Sequence, residues 1–219
     1  ARLDACLPGG GWPLGAVTEL ISGKHGLGEF RLLFPALARV SEEGQWVVLV
    51  DPPWIPYPSS LQGHGLLLDR VLLVRTHSEK ESLWACEQAL RCGRGGAVLA
   101  WPGGIGFARL RRLQLAAEAS AKLAFLFRPD NAAREFSPAA LRLQLEAGDL
   151  SRMRLRIIKC RGRRTPGPLS MSAPFSTPFS TYANQRQQNS AEPQATRRPR
   201  LGKPSRAQAI EGERLCRRH

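Results

Sequence analysis

The chain has 219 residues, 42% of them hydrophobic, which suits one domain with a sizeable core plus an appendage. Its net charge of +14 points to a polyanionic partner, most often nucleic acid, or to a solvated basic surface. Five widely spaced cysteines without a Cys-x-x-Cys pair argue against a zinc knuckle or a disulfide framework, and no apolar run is long enough to cross a bilayer. We expect a cytoplasmic protein without a membrane contact.

Strand patterns and helix patterns alternate along the first three quarters of the chain. The predicted strands are 16–22, 46–50, 71–74, 97–101, 123–127, 139–145 and 152–160, and the predicted helices begin near Phe30 and cover 79–92 and 107–122. Prolines between residues 52 and 58 predict an extended, non-helical connection. In the last strand Met153, Leu155 and Ile157 alternate with arginines, which is typical of a sheet with one solvated face.

This alternation predicts an α/β fold. Strand–helix repetition favours a mainly parallel sheet with helices on both faces and right-handed crossovers. Antiparallel strands commonly complete such a sheet at one end, so we expect them at the C-terminal end of this one.

The turn after the first strand has the spacing of a phosphate-binding loop but not its chemistry. In the pattern G-x-x-x-x-G-K-[ST], Gly23 and Gly28 fit, whereas Glu29 stands at the lysine position and Phe30 at the hydroxyl position. A carboxylate repels a triphosphate, and a phenyl ring cannot bind Mg²⁺. We therefore expect no ATP hydrolysis and no cofactor. An ordinary strand-to-helix turn is the simpler explanation of two glycines at this spacing.

The first 20 residues resemble the opening of the RecA recombinase core. The phrase at 3–20 is similar to the one that leads into the P-loop strand there, and later segments resemble further RecA strands in order, over residues 3–171. The resemblance implies a RecA-like core over 1–172. It also implies that Pro53 replaces the catalytic glutamate and that Trp101 replaces the Walker B aspartate. With Glu29 and Phe30, four catalytic roles are missing, so the resemblance implies a protein that is not an enzyme.

Three shorter phrases, at 15–20, 31–37 and 48–53, resemble the ImuA family of RecA-like accessory proteins from damage-inducible mutagenesis operons. That resemblance implies a non-catalytic adaptor in SOS-induced, error-prone translesion DNA synthesis. Its partners would be ImuB and, through it, an error-prone C-family DNA polymerase, with the RecA filament and single-stranded DNA as further contacts. The expected location is the cytoplasm, in association with the nucleoid.

The last quarter of the chain carries most of the charge. Residues 161–219 hold 12 Lys or Arg and 3 Asp or Glu, and large aliphatic side chains become rare after Ser172. Such a segment buries too little apolar surface to offset its ordering entropy, so we predict a disordered basic tail over 173–219. It would contact phosphates, or fold against an acidic protein. The candidate contacts are Arg161, Arg163, Arg164, Arg197, Arg198, Arg200, Lys203 and Arg206.

Two other functions stay open from the sequence. One is a SulA-like inhibitor of the division GTPase FtsZ, which requires neither DNA nor the basic tail. The other is a DNA-dependent ATPase in which Lys24 supplies the missing cation. Trp54 and Tyr57 follow a strand's carboxyl end, where open α/β sheets usually bind ligands, although aromatic side chains more often pack in a core. The histidines lack a second ligand at suitable spacing, so we predict no metal site.

Overall fold

The computed structural model describes residue 3 and residues 6–23, 28–147, 152–162 and 169–172. In this part of the chain eight strands form one sheet. They are β1 Ala16–Ser22, β2 Trp46–Val50, β3 Val71–Val74, β4 Gly95–Ala100, β5 Leu123–Arg128, β6 Leu141–Ala147, β7 Arg152–Cys160 and β8 Leu169–Ser172. The order across the sheet is β3-β2-β4-β5-β1-β6-β7-β8.

The sheet is parallel from β3 to β6, whereas β7 runs antiparallel to β6 and β8 antiparallel to β7. The helices are α1 Glu29–Glu42, α2 Pro58–Gly63, α3 Glu79–Arg91 and α4 Phe107–Ser120. Short 3₁₀ turns cover Pro8–Gly10, Leu68–Arg70 and Asp130–Arg134. The predicted mixed α/β sheet, mostly parallel with antiparallel C-terminal strands, is therefore confirmed.

Apolar side chains pack on both faces of the parallel strands. One cluster joins Leu33 and Leu37 of α1 to Phe125 of β5, and the other joins Leu90 of α3 and Leu110 of α4 to the opposite face. Because β2, β4 and β5 are covered on both sides, their sequences must be almost continuously apolar, and this explains the uninterrupted runs that the sequence shows.

The strands at 16–22, 46–50, 71–74 and 152–160 have the predicted bounds. In β7, Met153, Leu155 and Ile157 are buried while Arg154 and Arg156 are exposed, as the alternation predicts.

Two predicted strands are shifted, and two elements, α2 and β8, were missed. β4 ends at Ala100, one residue before its predicted end, and β6 begins two residues later than predicted. The connection after β2 is non-helical up to Tyr57, as predicted, and helix α2, which was not predicted, begins at the last of its prolines, Pro58, because proline is favoured in the first turn of a helix. β8 was missed as well.

Two adjacent glycines allow α1 and α3 to lie close to β4. A Cβ on Gly96 would come within 2.4 Å of a Val40 methyl and 2.8 Å of Gln45 Cβ, and one on Gly95 would come within 2.8 Å of the Ala89 carbonyl oxygen. The register between β2 and β4 also shifts at this point, between Trp46 and the following residue. A side chain at either glycine would force the helices away from the sheet.

A buried ion triad joins β1, β5 and β6. Glu19 is fully buried and accepts a hydrogen bond from Arg128 Nη1 at 3.0 Å and another from Arg142 Nε. Arg128 also contacts Glu135 at 2.8 Å, and Arg142 Nη1 donates to the Glu135 carbonyl at 3.0 Å. Through these contacts with Glu135, the two arginines hold the loop after β5 against the sheet.

In the described part of the chain, no helix has the length and hydrophobicity that a membrane crossing requires.

Candidate functional site

The predicted phosphate-loop residues lie at the carboxyl end of β1, where the chain turns into α1. Gly23 follows the strand directly. Gly28 precedes α1 with φ 92°, a left-handed conformation that favours glycine. Residues 24–27, including Lys24, lie outside the described residues, so the alternative cation stays a prediction.

Glu29 occupies the first turn of α1, at the position where a phosphate loop carries its lysine. Its side chain is buried, with 7% of the residue exposed. A carboxylate in a first turn is stabilised by the positive end of the helix dipole, which gives Glu29 a structural role without any ligand. The same position would repel the phosphates of a nucleotide.

Three aromatic rings stack against one another beside this turn. Trp101 and Phe127 lie nearly parallel, with ring centroids 4.4 Å apart and an interplanar angle of 3°. Phe30 stacks on both, at 5.8 Å from Trp101 and 5.9 Å from Phe127. We call Phe30, Trp101 and Phe127 the aromatic cluster. It brings together Phe30 and Trp101, which the sequence predicts at the positions of the magnesium-binding hydroxyl and of the Walker B aspartate. Aromatic rings thus stand at both positions.

The aromatic cluster extends along α1. Phe34 lies 5.8 Å from Phe30, and its other neighbour is His64, whose ring stacks at 4.1 Å. His64 Nδ1 is 2.7 Å from the Ser60 carbonyl oxygen, which occupies one ring nitrogen. Sequence reasoning missed Phe127 because an aromatic residue inside an apolar strand predicts only core packing. It missed His64 because its partner is distant in sequence.

Asp51 follows β2, and its carboxylate accepts two hydrogen bonds from Thr76, which lies in the loop after β3. Asp51 has φ 50° and accepts these bonds from the Thr76 backbone N–H at 2.8 Å and from the Thr76 hydroxyl at 2.6 Å. Burial raises the pKa of Asp51, but the hydrogen bonds from Thr76 and Ser82 and the nearby Arg75 charge outweigh it, so the pKa is lowered overall. The carboxylate therefore stabilises the loop as an anion. Pro53, predicted to replace a catalytic glutamate, is exposed two residues further on.

The loop after Pro53 exposes three large apolar side chains. Trp54 is 75% exposed, Ile55 72% and Tyr57 63%. We call residues 54–57 the apolar loop. Soluble proteins rarely leave a dense group of large apolar side chains in water unless it binds something, and aromatic residues are enriched where proteins meet.

Of the predicted basic contacts, only Arg161 falls within the described residues. Its side chain is 72% exposed and its Nη1 lies 3.7 Å from Glu118 Oε1, a distance at which an exposed pair contributes little. Arg163, Arg164, Arg197, Arg198, Arg200, Lys203 and Arg206 lie outside the described residues, as does the whole predicted tail over 173–219. Their role stays a prediction.

In the ranges that the structure describes, no group of three or more histidine, cysteine, aspartate or glutamate residues is placed to hold a metal ion.

The similar proteins share one name. No protein-family model matches the chain. The "Cell division inhibitor SulA" of Photorhabdus laumondii is 31% identical over 115 residues, 52% of this chain and 65% of that protein. The protein of the same name from Edwardsiella piscicida is 31% identical over 98 residues, 45% and 58% of the two chains. That from Serratia marcescens is 27% identical over 124 residues, 57% and 72% of the two chains. The chain thus spans less than two thirds of the length of the first two relatives.

These relatives overturn the resemblance to the ImuA family, which is wrong because they carry the name SulA. The predicted adaptor role in translesion synthesis is wrong for the same reason. The predicted partners are wrong as well, namely ImuB, the error-prone C-family polymerase, and RecA on single-stranded DNA. The phrases behind that resemblance lie in β1, α1 and β2, where packing against a parallel sheet imposes similar apolar residues on many proteins. Such phrases therefore discriminate poorly between families that share a fold.

Proposed function

We propose that this protein is an SOS-induced inhibitor of cell division that acts by binding the division GTPase FtsZ. The observation that carries the proposal is the common name of the curated relatives, cell division inhibitor SulA, at 27–31% identity. A cytoplasmic location belongs to the same proposal. Nucleoid association depended on the DNA role and is dropped with it.

We further propose that the core has a RecA-like fold without nucleotide hydrolysis. The strand order β3-β2-β4-β5-β1-β6, all parallel, supports the fold. Buried Glu29 and the stacked rings of Phe30 and Trp101 support the absence of hydrolysis, because they occupy positions that need a cation and oxygen ligands. The core would end at residue 172, the last residue of β8.

Calorimetric titration with Mg-ATP tests this part of the proposal. We expect no heat of binding and no phosphate release. Turnover of ATP by the full chain, lost on changing Lys24→Ala, would favour the DNA-dependent ATPase instead.

The apolar loop is the surface that we assign to FtsZ. It offers two aromatic side chains and one aliphatic side chain, each more than 60% exposed, at the carboxyl edge of the sheet. Side chains of this kind contribute most of the binding energy when they enter a pocket on the partner. An inhibitor needs only such an anchor, because occupying a polymerisation surface requires no chemistry.

FtsZ assembly gives a direct test. With GTP, we expect the full chain to reduce both the FtsZ that sediments as polymer and the GTPase rate. Trp54→Ala should raise the half-inhibitory concentration by about tenfold, since truncating an interface aromatic typically has an effect of that order. The matched control is Trp84→Ala on α3, because Trp84 is 63% exposed but lies on another element.

Two outcomes would count against the proposal. If the full chain leaves FtsZ sedimentation unchanged, the partner is wrong. If Trp54→Ala and Trp84→Ala inhibit as well as the unchanged chain, FtsZ binds elsewhere and only the apolar loop is excluded.

A further inference from the structure

The apolar loop is held by the backbone at both of its ends. Residues 52–57 connect Asp51, directly after β2, to the start of α2. At the second end, the Tyr57 carbonyl oxygen accepts hydrogen bonds from the N–H groups of Ser60 and Leu61 at 2.9 and 3.2 Å, and Leu61 is buried in the core. The end of the apolar loop is therefore fixed by the first turn of α2.

Asp51, at the first end, has a backbone conformation that needs support from its neighbours. Its φ of 50° lies in the left-handed region, which costs free energy in a residue other than glycine. Such a conformation persists only where surrounding contacts outweigh that cost. One of these contacts is the bond from the Asp51 N–H to the Val74 carbonyl oxygen, at 2.9 Å, which attaches the chain leaving β2 to the end of β3.

The Asp51 carboxylate supplies the other contacts. It accepts the two hydrogen bonds from Thr76, at 2.8 Å from the N–H and at 2.6 Å from the hydroxyl. Ser82 of α3, with 7% of the residue exposed, donates a further bond to the same carboxylate. Hydrogen bonds to a charged acceptor are stronger than those between neutral groups. The residue before the apolar loop is thus tied both to the loop after β3 and to α3.

Prolines transmit the direction set at Asp51 to the side chains of the apolar loop. Pro52, which is buried, and Pro53 separate Asp51 from Trp54. A proline ring fixes φ near −65°, and the residue before a proline is restricted as well. Few backbone torsions between Asp51 and Trp54 are therefore free to compensate for a change at Asp51, so its conformation determines where Trp54 projects.

We propose that Asp51 and Thr76 are positioning residues, whose contact holds the apolar loop in the conformation that presents its three large side chains to FtsZ. This inference rests on the proposed function and deepens it. A surface that is already in its bound conformation loses less conformational entropy on binding. A surface that adopts this conformation only part of the time binds more weakly, in proportion to that fraction. Neither positioning residue has to touch the partner.

A measurement without FtsZ tests the positioning itself. In the full chain labelled with 5-fluorotryptophan, the fluorine NMR line of Trp54 is identified by its absence from Trp54→Phe. A side chain held rigidly in a protein gives a broad line, and fast local motion narrows it. Asp51→Ala removes the acceptor of both Thr76 bonds, so we expect it to narrow the Trp54 line by about twofold or more. The line of Trp84, which is 63% exposed on α3, should not change.

Inhibition of FtsZ assembly tests the consequence for binding. Asp51→Ala should raise the half-inhibitory concentration by about tenfold, since a hydrogen bond to a charged group contributes about that factor to a conformational equilibrium. Thr76→Val keeps the backbone N–H and should have a smaller effect. Because both changes remove the same contact, adding Thr76→Val to Asp51→Ala should weaken inhibition no further. Asp51→Asn should recover most of the loss, because asparagine tolerates the left-handed region and its Oδ1 still accepts from the Thr76 N–H.

The control Gly96→Ala separates positioning from a general loss of stability. Gly96 lies at the amino end of β4, whereas the apolar loop lies at the carboxyl edge of the sheet, and an added methyl would collide with Val40 of α1. Gly96→Ala should therefore leave the Trp54 line and the inhibition as they are in the unchanged chain, and circular dichroism checks that each variant folds.

Three results would overturn the inference. The first is a Trp54 line as broad in Asp51→Ala as in the unchanged chain, and the second is a Gly96→Ala variant that narrows this line as much as Asp51→Ala does. The third is an Asp51→Ala variant that inhibits FtsZ as well as the unchanged chain does. If the unchanged chain itself does not inhibit FtsZ, the proposed function fails, and the fluorine lines still decide whether Asp51 and Thr76 hold the apolar loop in place.

Discussion

The replacement Glu19→Ala tests how strongly the buried ion triad stabilises the fold. Glu19 is fully buried, and the side chains of Arg128 and Arg142 are 1% and 6% exposed. Removing the carboxylate leaves two buried cations without the anion that both contact. Breaking a buried ion pair by deleting one partner costs about 3–5 kcal/mol.

Other acceptors offset part of that cost. Arg128 keeps Glu135, which is 44% exposed on its side chain, and Arg142 keeps the Glu135 carbonyl. We therefore expect the free energy of unfolding to fall by ~3–5 kcal/mol rather than by twice that amount. For a core of this size, such a loss lowers Tm by roughly 6–20 °C.

Urea unfolding followed by far-UV circular dichroism measures the effect. The control Glu43→Ala removes an exposed pair with Arg39 at 2.9 Å and should cost about 0.3–0.5 kcal/mol. Replacing all three residues of the triad together, as Glu19→Leu, Arg128→Met and Arg142→Met, should recover most of the stability, because no charge remains buried. A loss under about 1 kcal/mol for Glu19→Ala would refute the reasoning, since it would mean that the arginines are solvated or satisfied elsewhere.

Three further predictions use other contacts. Gly96→Ala should lower the free energy of unfolding in urea by ~1–3 kcal/mol, because the added methyl would collide with Val40 of α1. The control Gly93→Ala has open space around the added methyl and should leave the stability unchanged. Equal losses of stability in the two variants would contradict the packing argument. Thr76→Val should lower the free energy of unfolding most at neutral pH, because the folded chain lowers the pKa of Asp51. The stabilisation by the Asp51 carboxylate is present above the ordinary pKa of aspartate and is lost as the pH falls through the lowered pKa. If the stability difference between variant and unchanged chain stays constant down to pH ~2, Thr76 does not stabilise the fold through the Asp51 carboxylate. Burial raises the pKa of Cys86 to about 12, so this thiol should resist a thiol reagent at pH ~8 until the chain is unfolded. The free energy of unfolding should also fall as the pH rises from about 9 towards 12, because only the unfolded chain loses the thiol proton in that range. Rapid labelling of the folded chain at Cys86 would show that this thiol is not buried.

The family resemblance illustrates how far short phrases can be trusted. The apolar phrases in β1, α1 and β2 correctly predicted strands and a helix, because burial on a parallel sheet imposes their composition. The same constraint makes them similar in related families, so they led to the wrong relative. The relatives that overturned this resemblance match at 31% identity over 115 and 98 residues, which is far longer than any of the three phrases.

The sequence by itself determined the class of the fold and most strand bounds, since hydrophobic period and length are local properties of the chain. Gly23, Gly28, Glu29 and Phe30 could likewise be placed at a strand-to-helix turn from spacing alone. The start of α2 at Pro58 could not be predicted in this way, because proline occurs both in extended segments and in the first turn of a helix. Only the conformation of the residues after Pro58 distinguishes these two cases.

Tertiary structure alone decided what those residues contact. Phe30, Trp101 and Phe127 are far apart in the chain, and parallel strands bring them together because their carboxyl ends share one edge of the sheet. The order of strands likewise made β3 an edge, although its four apolar residues read like those of a central strand. Whether an apolar run is covered depends on which strands become its neighbours, and that is set by the crossover connections rather than by the run itself.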